Sequence, residues 1–591
     1  VAEIAAPYQD PALDVGQRVE DLLSRMELVD KAGLMFHDMV VMGPDGTLAG
    51  PGNMIARPPT VEAIQTLRMN HFNLLGAVPS VPELVAWHNR VQKVARETAL
   101  GIPVTMSTDP RHSFSSNPGT AARAGEFSEW PESLGLAALR DPDLVEQFAD
   151  IARQEYLAGG FRVALHPQID LATEPRWSRI GMTFGEDADV TSNLVRAYVR
   201  GFQGERLGPE SVATMTKHFP GGGPQRDGED PHFPYGREQV YPGGWFDYHL
   251  QPFLAALEAG TSQIMPSYGM PIGTEYEEVG FSFSRQIVTD LLRERLGFDG
   301  IVCTDWGLLN DSTFAGEPMS ARAWGVEELT PFERAKKIIE AGVDQFGGEG
   351  TPELVVELVR SGHVTEARID ESVRRLLREK FILGLFDNPF LDLDTAVATI
   401  GRDDFVAAGA AAQRAAIVRL TTAESGPAAL PLAVGLRIYV DGFGSDAAAR
   451  LGTLVDDPAD ADLAVLRLVA PWEERPGLFE SRFHAGSLEY PATERDRIVQ
   501  ICHTVPTLVD LYLDRPAVVP EIAEAAAALL VNFGASDDAL ADVLLGQAHA
   551  QGRLPFDLPS SMQAVVHSPS DVPFSTQDPL FRFGDGIVDS R

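Results

Sequence analysis

From about residue 70 to residue 350 the chain repeats one pattern: a short apolar run, a polar or glycine-rich break, then a stretch of helical periodicity. Strand candidates fall at 74–78, 103–106, 163–165, 212–215, 263–265, 301–303 and 343–346, mostly apolar except the last with Asp344 and Gln345, and helical stretches between them include 84–100, 144–159, 190–203 and 252–259. Runs that are apolar throughout, rather than at every second residue, belong to strands buried on both faces, and strands alternating with helices build a parallel sheet. Closing such a sheet as a (β/α)8 TIM-like barrel takes roughly 250 residues, which this stretch supplies. Seven strands are legible, so an eighth is expected at one end in irregular form.

The residues that follow these runs say more than the runs themselves. Ile301, Val302 and Cys303 lead into Thr304-Asp305-Trp306-Gly307, which delivers a carboxylate and an indole together at a strand's C-terminal end. Alone, Asp305 reads as the cap of a following helix. The other runs end alike: one reaches Thr108-Asp109, one passes His166 and Asp170 towards Glu174-Pro-Arg-Trp-Ser-Arg179, one ends at Lys217-His218, and one at Met265-Pro-Ser-Tyr268. Charged and aromatic groups gathering at one end of successive parallel strands make a polar pocket, at the barrel face where active sites sit.

The whole chain has 591 residues, too many for one domain. The pattern divides it into a barrel over 1–390, a linker and connecting helix over 391–432, and a smaller open α/β sandwich domain over 433–591. Strands of the last are expected at 436–440, 463–469, 507–513 and 527–533, with helices at 491–504, 519–526 and 540–545. Near the N-terminus, 15–35 reads as one amphipathic helix and 43–60 as a loop rich in glycine and proline.

A formal net charge of −37 argues against nucleic acid or an anionic membrane as partner. No apolar run reaches the ~18 residues needed to cross a bilayer. The two cysteines, Cys303 and Cys502, stand in different regions and indicate no disulfide framework. No signal peptide is recognisable, and a start at Val1 is compatible with a removed leader, so a cytoplasmic and a secreted protein both fit. Homo-oligomerisation stays open. There is no His-x-His after the first strand, no His-Glu-x-x-His helix and no calcium loop. The glycine run at Gly221 lacks the Lys-Ser/Thr ending of a phosphate cradle, so neither a metal nor a cofactor is implied.

Several segments together resemble glycoside hydrolase family 3. They are Arg18-Val-Glu-Asp-Leu-Leu-Ser-Arg-Met26, Pro175-Arg-Trp-Ser-Arg179 with Phe184-Gly-Glu-Asp187, Lys217-His218-Phe-Pro-Gly221, and the run from Gly297 to Trp306. Arg368-Ile-Asp-Glu-Ser-Val-Arg-Arg-Leu376, Leu383-Gly-Leu-Phe-Asp387 and Gly552-Arg-Leu-Pro555 complete the set. The match runs through nearly the whole chain in order. It implies a retaining exo-β-glycosidase, in the first place a β-glucosidase acting on a small carbohydrate or glycoside, with β-N-acetylhexosaminidase, β-xylosidase and a catalytically inactive sugar binder as alternatives. Such chemistry uses two carboxyl groups about 5–5.5 Å apart, one as nucleophile and one as acid/base. The resemblance makes Asp305 the nucleophile and Arg176, Lys217, His218 and Asp109 the groups that hold sugar hydroxyls. Met265, Tyr268 and Trp306 are implied near the nucleophile, with Tyr268 as a donor to Asp305 and Trp306 as a stacking surface. Trp177 reads as packing.

In two-domain members the acid/base comes from a second-domain loop over the barrel. Here Glu473, Glu474 and Glu480 follow the 463–469 run, and Glu473, beside Trp472, is preferred, with Glu480 second. The loop from Gly221 to Tyr241 offers another pair, Asp230 and His232, resembling the acid/base of the family's N-acetylglucosaminidase branch. That branch often lacks a second domain, so the loop reads as shaping the entrance, with Phe233 and Tyr235 as sugar-stacking surfaces.

Overall fold

The computed structural model describes residues 6–588, apart from 54, 56, 118, 119 and 315. Eight parallel strands close into a barrel: Phe36–Val41, His71–Leu75, Thr105–Thr108, Phe161–Ala164, Ala213–Phe219, Gln263–Pro266, Ile301–Trp306 and Gln345–Gly347. The first strand pairs with both the second and the eighth, which completes the ring.

That first strand is the one hidden in the sequence. Its residues Phe36-His-Asp-Met-Val-Val41 carry two polar groups, and the helical pattern before it runs straight into it. The expected single helix over 15–35 is two, Val15–Arg25 and Leu28–Leu34, because Glu27 begins a new capping box with Asp30. His37 is polar because it points into the barrel, where Nε2 meets Ser107 Oγ at 2.6 Å and Nδ1 meets Gln345 Oε1 at 3.2 Å. A polar layer inside a barrel is stable once its groups are paired, but it erases the apolar signature of the strand. The same effect moves other boundaries. The fifth and seventh strands run on to Phe219 and Trp306, past their apolar starts and through the polar residues of the site.

Beyond the barrel lies a six-stranded mixed sheet. Its parallel core is Arg437–Asp441, Leu463–Val469, Thr507–Tyr512 and Ala528–Asn532, with Thr453–Leu454 at one edge and the antiparallel Val418–Arg419 at the other. Val418–Arg419 falls in the segment that the sequence reads as a connection, since two residues carry no periodicity. The lobes share one apolar cluster: Leu134, Ala172, Trp177 and Ile180 of the barrel side pack with Leu466, Val509, Val531 and Phe556 of the second lobe. Backbone bonds also cross the junction, among them Glu132 N–H to Phe533 O at 2.8 Å, Arg553 N–H to Ala138 O at 3.0 Å and Glu186 N–H to Pro555 O at 3.2 Å. Among the described residues no helix is long and apolar enough to cross a membrane.

Candidate active site

A cavity of about 530 Å³ occupies the C-terminal mouth of the barrel, within the usual range for small-molecule sites of ~300–1,000 Å³. Asp305 stands at its floor, near the end of the seventh strand. It caps nothing, because the next helix, Pro331–Ala341, is capped by Thr330. Its Oδ1 accepts the Trp306 N–H at 2.8 Å. Its Oδ2 is buried, has no hydrogen-bond partner and lies 3.6 Å from His218 Nε2. A desolvated carboxylate oxygen facing a cavity is well disposed to attack an electrophilic carbon.

The fifth strand carries Lys217 and His218 just before its end at Phe219. Lys217 Nζ lies 3.2 Å from Asp109 Oδ1, and Asn73 Nδ2 donates to Asp109 Oδ2 at 3.1 Å. This edge offers charged donors and acceptors of the kind that match ring hydroxyls. His218 Nδ1 meets Asp170 Oδ2 at 2.7 Å, while Arg179 Nη1 donates to Nε2 at 3.1 Å. The network therefore puts the proton on Nδ1. Burial holds the His218 pKa below the ordinary imidazole range, with Asp170 pulling the other way. Burial alone would raise the Asp170 carboxyl, but His218 and the amides of Gly222 and His218 hold it below its usual range. Both nitrogens of His218 are engaged, so it is a poor proton donor to a ligand.

The structure separates the two arginines of the Pro175-Arg-Trp-Ser-Arg179 motif. Arg176, expected to hold substrate, does not line the cavity. Glu174 takes its guanidinium in two bonds of 2.8 and 2.9 Å, and Asp227 lies 3.6 Å away. Arg179 lines the cavity in its place. Three residues apart, either arginine satisfies the motif, and only the turn between them decides which one faces inward. Gly228 holds that turn close, since it sits at φ 73° and an added Cβ would come within 2.4 Å of Arg176 Cβ.

Met265, Tyr268 and Trp306 all line the cavity. The Tyr268 hydroxyl donates to Trp306 O at 2.7 Å, and burial, then Asp305, push its pKa well up. Trp306 packs against His37, its Nε1 buried without a partner.

The glutamates of the second-lobe loop are elsewhere. Glu473 and Glu474 are exposed, and the Tyr235 hydroxyl donates to Glu480 outside the cavity. Among the described residues Phe479 is what this loop presents to the cavity. Phe233 and Tyr235 do not line it either, and stack on one another at 5.5 Å.

His232 does line it. Its Nδ1 meets Asp230 Oδ1 at 2.6 Å, and Asp230 Oδ2 accepts from Trp177 Nε1 at 3.0 Å. No described residue bonds its Nε2. The ring is packed by Tyr268, Phe479 and Phe483 at 4.9, 5.9 and 5.0 Å. Burial pushes its pKa below the ordinary imidazole range, against the pull of Asp230. Burial would raise Asp230, but the His232 charge and hydrogen bond bring it down to about 2. The sequence signal for this pair was its place on the loop after Lys217-His218, which resembles the acid/base loop of the family's N-acetylglucosaminidase branch.

A buried carboxylate facing a polar cavity beside an oriented imidazole has the groups that glycosidic bond cleavage uses, and the enzyme is a glycoside hydrolase. The chain belongs to glycosyl hydrolase family 3: residues 72–379 match the family's N-terminal domain and residues 312–588 its C-terminal domain. It is 53% identical to beta-glucosidase C of Emericella nidulans over 98% of this chain and 93% of that one. It is 41% identical to the periplasmic beta-glucosidase/beta-xylosidase of Dickeya chrysanthemi over 98% and 91%. Among solved structures, a β-glucosidase of Erythrobacter marinus superposes with a TM-score of 0.79 at 22% identity, covering 99% of this chain and 84% of the other. That likeness concerns the fold.

Proposed function

We propose that the enzyme is a retaining exo-β-glucosidase in which Asp305 is the nucleophile and His232, oriented by Asp230, is the acid/base. The observation that carries this reading is the unpartnered Asp305 Oδ2 in a cavity that also receives the unbonded Nε2 face of His232, while Glu473 and Glu480 do not line it. In the first step Asp305 Oδ2 bonds to the anomeric carbon as the bond to the glycosidic oxygen breaks, and that oxygen takes the proton from His232 Nε2. In the second step neutral His232 takes a proton from water, the water oxygen bonds to the anomeric carbon, and Asp305 leaves as carboxylate. Asp230 holds the ring by Nδ1 and stabilises the imidazolium of the first step, a role a buried carboxylate fills without being protonated itself. Asp109, Lys217 and Arg179 hold hydroxyls, and the wall of Phe479 and Phe314, 5.0 Å apart, borders the leaving-group side.

The close relatives with β-glucosidase in their names support glucose as the sugar, and the Dickeya relative favours xylose as the second choice. Trapping with a 2-fluoro-β-glucoside tests the nucleophile. A covalent adduct on Asp305 is expected, and an adduct elsewhere would sink the assignment. Turnover of nitrophenyl glucoside, xyloside and N-acetylglucosaminide side by side tests the sugar, with the glucoside expected to lead.

A further inference from the structure

Arg515 follows the Thr507–Tyr512 strand of the second lobe and is fully buried. Among the described residues its guanidinium bonds only backbone carbonyls. Nη1 donates to Arg176 O at 2.9 Å and Gly486 O at 3.1 Å, and Nη2 donates to Pro471 O, Ala485 O and Ser487 O at 2.8, 2.9 and 3.0 Å. Five carbonyls on one planar fork is a use that only arginine allows.

The partners fall in two groups. Pro471 and Ala485–Ser487 are the two ends of the second-lobe loop, whose middle brings Phe479 and Phe483 against His232 at 5.9 and 5.0 Å. Arg176 belongs to the barrel segment that continues into Trp177, whose indole N–H bonds Asp230, the partner of His232. Both arms that leave Arg515 end on the same imidazole, one through its aromatic wall and one through its carboxylate.

We propose that Arg515 is a positioning residue for His232: a second-lobe cation that sets the place and orientation of the barrel's acid/base without touching substrate. This rests on the reading of His232 as acid/base. A shift of ~1 Å in a catalytic group can cost on the order of 100-fold in rate, so a clamp on both supports of the imidazole is felt where proton donation limits turnover.

The test compares kcat/KM against pH for cellobiose, whose leaving group needs a proton, and for 2,4-dinitrophenyl β-glucoside, whose leaving group does not. Arg515→Lys keeps the charge and loses the fork. It is expected to lose ~10–100-fold on cellobiose, to lose ~3-fold or less on the dinitrophenyl substrate, and to shift the basic limb of the pH profile. Millimolar guanidinium is expected to restore part of the cellobiose rate to Arg515→Ala. Trp177→Phe, which removes one hydrogen bond from Asp230, tests the carboxylate arm by itself and decides the matter if the Arg515 variants do not fold. The less shared Asp230 charge should move the basic limb upward. Equal losses on both glucosides with an unmoved limb, or wild-type rates in Arg515→Lys, would overturn the proposal. His232→Gln separates the two ideas. A basic limb that survives in it defeats the acid/base reading itself, whereas a limb lost there but unmoved in Arg515→Lys and Trp177→Phe defeats the clamp alone.

Discussion

Two regions face each other across the mouth of this enzyme, and they are built on opposite principles. On the barrel side Asp109, Lys217, His218 and Asp305 stand at or just beyond strand ends, close to one another and mostly buried. On the other side the middle of the loop of residues 470–486 is largely open to solvent, with Trp472 40% and Leu478 52% exposed, while Phe479 and Phe483 turn inward. An acid/base group needs a pKa tuned by burial and a fixed partner. Glu473 and Glu474 are exposed and Glu480 is half-buried on Tyr235 outside the cavity, whereas His232, on a barrel loop, is buried in the cavity wall and held by Asp230. On the proposed assignment of His232 the second lobe acts on the chemistry through shape and position, and a carboxyl group from it is not required.

Substitutions on the two sides should therefore differ in size. Asp305→Gly is expected to reduce turnover by ~10⁴-fold or more, as loss of a covalent nucleophile does. Azide should restore part of it with formation of the α-glucosyl azide, and chromatography of the product checks this. His232→Gln should cost ~10²–10⁴-fold on cellobiose, the usual worth of a general acid, and much less on 2,4-dinitrophenyl glucoside. Cellobiose turnover left intact would return the acid/base to the second lobe.

The pH dependence follows from the direction of the His232 shift. Burial lowers its pKa below 6.5, so the protonated form that donates in the first step is lost as pH rises through that lower value. kcat/KM for cellobiose should fall on the basic side below pH 6.5, and that limb should be absent in His232→Gln. A basic limb well above pH 7 would contradict the assignment.

The two arginines of one motif sharpen the contrast within the barrel. Arg179→Met should weaken catalysis, by ~10–100-fold in kcat/KM, through loss of a charge-assisted contact in the cavity. Arg176→Met should act on stability, since breaking its buried pair with Glu174 leaves a carboxylate unpaired, typically at ~3–5 kcal/mol. Steady-state kinetics and thermal melts of the two variants separate these effects. Smallest of all, Glu473→Gln and Glu480→Gln should change kcat/KM by about threefold or less, because neither carboxyl lines the cavity and charges near the surface interact weakly. A hundredfold loss in either would overturn the comparison above.

Much of this was legible before any coordinates. Seven of the eight barrel strands announce themselves by short runs alternating with helical stretches, and Asp305, Lys217, His218 and Asp109 by their places at the ends of those runs. The first strand was not legible, because His37 and Asp38 give it polar character that only their distant partners explain, Ser107 and Gln345 inside the barrel for His37 and Arg57 on the other face for Asp38. Nor could the choice between Arg176 and Arg179 be read, since it depends on whether Glu174 or His218 receives each guanidinium. Asp230 and His232 were visible as a pair, but the presence of a second domain argued for its glutamates instead.

Local pattern determined the alternation of strand and helix, and with it the barrel, the second sheet and the end of the barrel where function sits. Those features repeat with the periods of the backbone, so neighbouring residues suffice to specify them. What only the tertiary structure decided is which of several chemically equal groups is turned inward and kept dry: Arg179 over Arg176, and His232 over Glu473 or Glu480. Burial and pairing are properties of surroundings brought together from distant parts of the chain, as Arg515 does by bonding residues 471, 485–487 and 176 at once. No stretch of sequence contains them.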